Sequence, residues 1–309
     1  MKLDRQSIMR SLTLVAAFGA SFLSWQTGSA QVPAAQVMPP QPDFPPFEKV
    51  TEGFVKSDSK SPDKQSLCGI WTREKDGKML LELPKDFAMK KYFIALTVSS
   101  GDRFAGLQSN DFYVYWRQYN KRLALIVPNM DIRSNGEPES KSSVKRLFTD
   151  TVLLDVPIIT MGQRGGGPVI DADALFIGNA SKFFGARVRV MDQQLIKIVK
   201  AKSFSKNAEM AFEVVSAGGK LQTLHFSYSE VPEENGYRPR KADQRVGYFL
   251  TNYSDLGSYD DDKKIVRYVT RWRLEKRDPS LRISPPVKPI RFYIEHTTPV
   301  RYQIGRAHV

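Results

Sequence analysis

The chain has 309 residues, of which 41% are hydrophobic and 11% aromatic, so it can form one or two domains with packed cores and is not globally disordered. Its formal net charge is +13, but the basic residues are scattered along the chain, which favours a solvated surface over a dedicated site for anionic polymers or glycans. Cys68 is the only cysteine, which excludes an internal disulfide.

The first thirty residues have the pattern of a signal peptide. Lys2, Arg5 and Arg10 precede an apolar run, and small residues ending at Ala30 follow it. The apolar run is shorter than the roughly 20 residues that span a membrane, so we expect cleavage after Ala30 rather than a permanent anchor. No later segment approaches that length. We therefore predict an exported protein, periplasmic or extracellular, with no stable membrane span after the signal is removed.

The folded region is predicted to begin after a proline-rich spacer. Residues 31–46 are rich in Pro, Gln and Ala, a composition typical of an extended linker. A β-hairpin is predicted next, with strands at residues 70–74 and 78–83. Between them lies Asp76-Gly77, a dipeptide that supplies the positive φ angles of a tight turn.

The middle of the chain is dense in aromatic and β-branched residues in short runs, which is typical of β-strands. Pro157 places its own strand at the edge of a sheet or at a bulge. A flexible turn is predicted at residues 165–167, three glycines that lack the Lys and Ser or Thr of a phosphate-binding loop. A short helix is predicted at residues 143–150. The predicted strands are residues 92–99, 112–118, 122–127, 151–160, 169–177, 187–191, 195–203, 210–216 and 221–229.

The last third of the chain shows clear alternation between apolar and charged residues. A strand is predicted from Val266 to Leu274, with Trp272 on its core face. The arginines of this strand lie on the opposite face from its aromatic residues and cannot interleave with them, so we predict no nucleic-acid partner. A final strand is predicted with Ile290 and Phe292 on its inner face.

These elements predict a mainly β fold, a β-rich α+β protein with antiparallel sheets and a few short helices. We expect two packed β-rich units. The first is an N-terminal domain over residues 47–180 and the second a domain over residues 181–303, with the division near residues 181–193.

The sequence contains no catalytic, cofactor-binding or metal-binding motif. None of the three histidines has the paired spacing of a zinc site, and His225 is expected on the polar face of a strand. There is no G-x-S-x-G motif, and Cys68 is expected to pack in the core as a small hydrophobe. Acidic runs at residues 171–173 and 260–262 lack the pattern of a calcium loop and are expected in solvated turns. We therefore assign no catalytic residue, no cofactor-binding residue and no metal ligand to this chain.

Several segments carry a family resemblance. The most specific are DQRVGYF at residues 243–249, VRY at 266–268, RWRLEK at 271–276 and PIRFYIE at 289–295 with Thr298-Pro299. Further matches are FEKV at 47–50, LLELP at 80–84, FTDTVL at 148–153, and VID with LF between 169 and 176. Together they resemble a family of bacterial exported zinc-dependent metalloproteases, in which N-terminal domains of unknown function precede a metzincin-like catalytic domain. The resemblance covers roughly residues 47–302.

The resemblance implies that this chain is the non-catalytic N-terminal accessory region of a zinc metallopeptidase. In that family the following domain holds zinc in an H-E-x-x-H-x-x-G-x-x-H motif, and none of those residues is present here. Zinc is therefore implied only for the missing domain. The implied partners are that downstream catalytic domain and protein or peptide substrates. The region is expected to shape substrate access or to hold the enzyme latent.

The last six residues offer a reason for the missing domain. Residues 304–309, IGRAHV, back-translate to ATC GGA AGA GCA CAC GTC, the start of a common sequencing adapter. We expect that the reading frame is cut by adapter sequence there. The competing interpretation is a stand-alone exported β-rich binding module for glycans or anionic envelope polymers.

Overall fold

The structure, a computed structural model, describes residues 43–304 except residue 164, residues 261–262, residue 293 and residues 295–297. The predicted signal peptide, spacer residues 31–42 and residues 305–309 of the adapter-like hexapeptide lie outside the described residues. None of the helices in this described part is long and apolar enough to cross a membrane.

The first sheet has five strands and follows a short helix, α1 (Phe47–Val50). The hairpin predicted from the sequence is confirmed as the second and third strands, and Gly77 in its turn has a φ of +65°, which glycine adopts at little cost. All neighbouring strands are antiparallel, in the order β1-β2-β3-β10-β9. The strands are β1 (Val55–Lys56), β2 (Gly69–Arg73), β3 (Lys78–Glu82), β9 (Thr160–Met161) and β10 (Pro168–Asp171).

The second sheet has seven strands in the antiparallel order β11-β12-β13-β4-β5-β6-β8. The strand that contains Pro157 is an edge strand, which is one of the two positions predicted for it, and proline has no N–H for a second ladder. The strands are β4 (Lys91–Ser100), β5 (Gln108–Tyr119), β6 (Arg122–Val127), β8 (Thr151–Pro157), β11 (Val190–Ser203), β12 (Asn207–Ser216) and β13 (Lys220–Val231). The predicted mainly β, antiparallel fold class is thereby confirmed.

One hydrophobic core lies between these two sheets. Alternate side chains of β4 and β13 are buried, because successive residues of a strand point to opposite faces. A π-helix (Asp173–Ile177) and α3 (Ala180–Phe184) contribute buried side chains to the core, and a 3₁₀ turn (Gly185–Arg187) with no buried residue follows them. Phe176 and Phe183 contact Phe226 of β13, with ring centroids 4.5 and 5.6 Å apart. The predicted strand at residues 169–177 therefore ends at Asp171, and its second half is helical.

The expected division into two domains does not coincide with this architecture. β4, β5, β6 and β8 precede residue 181, whereas β11, β12 and β13 follow it, and all seven belong to one sheet. β13 pairs with β4 at the centre of that sheet, from Val231 opposite Lys91 to Thr223 opposite Ser100. The described residues from Asp43 onward accordingly form one compact unit. The helical turns after β10 lead from the five-stranded sheet to β11, at the edge of the seven-stranded sheet that lies opposite β8.

A third, small sheet contains the last two strands of the described residues. Its strands are β7 (Ile132–Arg133), β14 (Leu250–Asp255) and β15 (Ile265–Val269), in the order β15-β14-β7, with β7 parallel to β14. The remaining helices are α2 (Pro138–Leu147), which begins earlier than the predicted helix at residues 143–150, and α4 (Val300–Ile304).

The two strands predicted in the C-terminal third are only partly formed. β15 ends at Val269, which pairs with Leu250 at the start of β14, so the residues that follow Val269 have no strand beside them in this sheet. Trp272, expected in the core, is exposed for that reason. Ile290 and Phe292 lie in irregular chain rather than in the predicted final strand.

The three glycines at residues 165–167 join β9 to β10 in a loop packed against the end of β3. Gly165 has a φ of +71°, but Gly167 is required for a different reason. A β-carbon on Gly167 would lie 2.0 Å from the carbonyl oxygen of Leu83 and 2.7 Å from that of Pro84. The loop predicted as a flexible turn is therefore a place where two backbones approach closely.

We predict that Gly167→Ala destabilises the fold by about 2–4 kcal/mol, because backbone atoms on both sides must move to admit the methyl group. Gly247→Ala is the matched control, since a β-carbon there meets nothing within 4 Å; it is expected to change the free energy of unfolding by less than about 1 kcal/mol. Urea unfolding followed by tryptophan fluorescence measures both. Equal midpoints for the two variants would contradict the close approach.

Candidate functional site

The last part of the chain exposes many large apolar side chains between residues 246 and 302, here called the C-terminal segment. Phe249 is 89% exposed, Phe292 72% and Trp272 66%. Single exposed apolar residues are ordinary, whereas contiguous apolar patches are typical of interaction surfaces. The exposed large apolar residues of the segment are Val246, Tyr248, Phe249, Leu250, Leu256, Tyr259, Ile265, Trp272, Leu274, Leu281, Ile283, Val287, Phe292, Ile294, Val300 and Tyr302.

An open groove of about 580 Å³ lies beside β14 and β15. One wall is the loop at residues 241–248, which is tied to β15 by a hydrogen bond from the Ala242 N–H to the carbonyl oxygen of Arg267, 2.9 Å. The volume of the groove is within the range of about 300–1,000 Å³ that is usual for ligand sites. The segments at residues 243–249 and 266–268, which carry much of the family resemblance, both supply lining residues.

The groove is mixed in character, with apolar and basic side chains side by side. Tyr248, Leu250 and Ile265 contribute apolar surface, and Lys241 and Arg267 contribute positive charge. The lining also includes the acidic Asp243, so the groove offers apolar surface together with charges of both signs.

A second concave site lies on the outer face of the seven-stranded sheet and has a volume of about 260 Å³. Tyr115, Arg117 and Tyr119 of β5 line it, together with Lys145 of α2 and Asp150. We call these five residues the tyrosine cleft. The three residues of β5 share one face, because residues two apart on a strand point the same way. Val114 and Trp116, on the other face, point into the core.

A hydrogen-bond network fixes the floor of the tyrosine cleft. The Tyr115 hydroxyl donates to Oδ2 of Asp150 at 2.6 Å, and the backbone N–H of Asn129 donates to Oδ1 at 3.0 Å. These bonds lower the pKa of Asp150, the bond from Tyr115 having the largest effect. Burial, and next the hydrogen bond with Asp150, raise the pKa of Tyr115, so the phenol stays protonated at neutral pH.

His225 lies on the outer face of β13, as the sequence predicted, and contacts a carboxylate. Its Nε2 is 2.7 Å from Oε2 of Glu209, while Ser227 and Asn207 donate to Oε1, each at 2.8 Å. Burial would raise the pKa of Glu209, but the nearby imidazole of His225 and the hydrogen bonds from Ser227 and Asn207 outweigh burial and lower it. The carboxylate occupies the middle of this group and Ser227 donates to it rather than to His225, so the arrangement is not that of a hydrolytic triad.

Asp173 is buried, which corrects the expectation of a solvated acidic turn at residues 171–173. Its Oδ2 accepts a hydrogen bond from the Met79 N–H at 3.3 Å and lies 3.4 Å from Nζ of Lys78, and Oδ1 has no hydrogen-bond partner among the described residues. Burial, followed by the negative charge of Asp171, raises the pKa of Asp173 to about 6. The carboxyl begins a π-helix packed in the core, where solvent cannot stabilise its charge.

The remaining sequence candidates do not form a metal site. Cys68 is buried, and burial raises the pKa of its thiol to about 12, so the sulfur is protonated at neutral pH. Across the described residues, no group of three or more His, Cys, Asp or Glu side chains is arranged to hold a metal ion. His296 and His308 lie outside those residues, as do Asp261 and Asp262 of the second acidic run.

One protein family matches the chain. Its model, described as a domain of unknown function (DUF5117), matches residues 106–277, more than half of the chain. The chain therefore belongs to this family, whose description carries no activity and no link to metalloproteases. No curated protein and no solved structure matches the chain.

The matched range does not coincide with the folded unit. It contains β5 to β15 but leaves out β1 to β4, although β4 lies between β13 and β5 in the larger sheet. All residues that line the groove and the tyrosine cleft lie within the matched range, so both cavities belong to the family part of the chain.

We predict that Asp173 makes stability depend on pH. Because its pKa is raised in the folded state, its contribution is full below about pH 4 and is lost as the pH rises through about 6. The rise from 3.8 to about 6 corresponds to about 3 kcal/mol. Between pH 4 and pH 7 the unmodified chain should therefore lose up to about 3 kcal/mol of unfolding free energy that the Asp173→Asn variant does not lose.

Urea unfolding at pH 4, 5, 6 and 7 measures this difference. Asp58→Asn, the same change at an exposed carboxylate, controls for the loss of a surface charge. A difference between Asp173→Asn and the unmodified chain that stays constant over the four pH values would show that the buried carboxyl does not titrate in this range.

Proposed function

We propose that this chain is the non-catalytic N-terminal accessory region of an exported zinc-dependent metallopeptidase whose catalytic domain lies downstream. The observation that carries the proposal is the C-terminal segment, where segments that resemble the metalloprotease family expose their apolar side chains and line the groove of about 580 Å³. These side chains fit a surface that is covered in the complete protein.

Burial of this apolar surface would stabilise the contact between the two domains. Each square ångström removed from water contributes about 25 cal/mol, so a few large side chains such as Phe249 and Trp272 supply several kcal/mol before the cost of ordering them. A domain on the same chain is present at an effective concentration of the order of millimolar, which lets a modest contact remain occupied.

In this function the accessory region either shapes the access of protein or peptide substrates to the catalytic domain or holds that domain latent. Zinc would be held by the downstream domain. The residues of this chain supply the contact surface and no step of the hydrolysis.

We predict that the isolated chain hydrolyses no peptide, with or without added zinc. A casein or quenched-peptide assay in the presence and absence of a chelator measures this. Turnover that a chelator abolishes, in a sample free of contaminating protease, would place catalytic residues in this chain and overturn the accessory role.

The gene sequence downstream of the codon for Tyr302 tests the proposal directly. A frame that continues into H-E-x-x-H supports it. A stop codon with no zinc motif favours the competing class, a stand-alone exported binding module for glycans or anionic envelope polymers, for which the tyrosine cleft is the observed concave site on a sheet face.

In the full-length protein we predict that the C-terminal segment is shielded. The double variant Phe249→Ser, Trp272→Ser should raise the hydrogen-exchange rate of amides in residues 246–274 at least tenfold, because it removes apolar contact with the next domain. Met89→Ser changes an apolar side chain of comparable exposure outside the segment and serves as the control. Equal exchange in the unmodified full-length protein and in the double variant would contradict docking through this surface.

A further inference from the structure

The tyrosine cleft carries positive charge that the fold does not neutralise. Within the described residues, no ion pair includes Arg117, Lys145 or Lys91, and the only carboxylate of the cleft is Asp150. Both oxygens of that carboxylate already accept hydrogen bonds, from Tyr115 and from a backbone N–H. A net charge of about +2 therefore faces solvent around a concave site.

Arg117 is held in place with donors to spare. Its guanidinium donates to the hydroxyls of Tyr115 at 3.0 Å and Tyr119 at 3.3 Å. A guanidinium has five N–H donors, so three remain for a ligand, and their planar arrangement matches a carboxylate. Lys91 reinforces the field, with Nζ 3.8 Å from the centre of the Tyr115 ring.

The backbone around the cleft indicates which kind of ligand fits. β5 is hydrogen-bonded on both sides, to β4 and β6, so its backbone has no ladder donors left for a peptide added as a strand. Recognition at this position must use side chains. Tyr119 is 48% exposed, and tyrosine offers a flat amphipathic surface at low entropic cost. The volume of about 260 Å³ suits one ring rather than a drug-sized molecule.

We propose that the tyrosine cleft binds a carboxylate-bearing sugar ring of an acidic polysaccharide. Arg117 donates to the sugar carboxylate, Lys145 and Lys91 supply the surrounding positive potential, and the face of Tyr119 packs on the ring. The site lies apart from the C-terminal segment in sequence and does not depend on the proposed accessory function. A failure here leaves the docking proposal intact, and the reverse also holds.

The test is titration calorimetry of the purified chain with a short polygalacturonate oligosaccharide at 50 and 150 mM salt. Binding of the acidic oligosaccharide is expected, with at least tenfold weaker binding of its methyl-esterified, uncharged counterpart. Arg117→Gln should weaken binding at least tenfold and Tyr119→Ala several-fold. Arg117→Lys, which keeps the charge but loses the planar donor pair, should also weaken it several-fold.

Lys202→Gln is the matched control, because it removes one exposed positive charge from β11, four strands away in the same sheet. It should change the affinity less than twofold. All the substituted side chains are polar or exposed, and an unchanged urea midpoint confirms that each variant folds.

Four outcomes would overturn the proposal. Loss of affinity in Lys202→Gln equal to that in Arg117→Gln would show attraction by overall charge alone. Equal binding of the esterified oligosaccharide would remove the role of the carboxylate. Displacement by inorganic phosphate at equal concentration would reduce the cleft to a simple anion site, and absence of binding at millimolar oligosaccharide would exclude the sugar.

Discussion

The antiparallel ladder between β4 and β13 is the contact on which the rest of the structure depends. It joins the part of the chain before the helical turns to the part after them and forms the middle of the seven-stranded sheet. On its inner face Tyr92 stacks on Tyr228 with ring centroids 4.7 Å apart, and Nε1 of Trp116 donates to the Tyr228 hydroxyl at 3.0 Å. The same ladder presents Phe226 to the core, where Phe176 and Phe183 pack on it. Without this pairing the helical turns would lose the contact with Phe226 at the centre of the sheet.

The elements that sequence reasoning predicted well are those that local chemistry determines. β6 has the predicted bounds, residues 122–127. A turn precedes the strand, and Pro128 directly follows its run of aliphatic and β-branched residues. The pairing of the strands could not be predicted from the sequence, since alternation shows that a strand has two faces but not which strand lies beside it. The same limit explains why Trp272 is exposed although it was predicted in the core. The residues around it alternate as regularly as those of β15, but they have no partner strand. The burial of Asp173 was not predicted, because two acidic residues close together in sequence usually lie in a solvent-exposed turn.

The two candidate sites differ in how far the sequence foretold them. The groove beside β15 is lined by segments that carried the family resemblance, so the sequence pointed to these residues but not to the groove that they form. The tyrosine cleft was missed. Its signal was available in the alternation of Tyr115, Arg117 and Tyr119 against the apolar Val114 and Trp116. What the sequence could not supply was the approach of Asp150 from the turn before β8, a contact that exists only once β5, β6 and β8 are paired.

The position of β4 has a consequence for how the molecule is made. Because Ser100 pairs with Thr223, the centre of the large sheet forms only after most of the chain is available, and such distant pairing is slow. Until β13 arrives, one edge of β4 offers unsatisfied backbone groups and an apolar face to any neighbouring chain. In this topology β4 is synthesised well before β13, the strand that covers its free edge. Synthesis and folding are thus separated by an interval in which β4 must be kept from other chains, whether by speed, by dilution or by a chaperone.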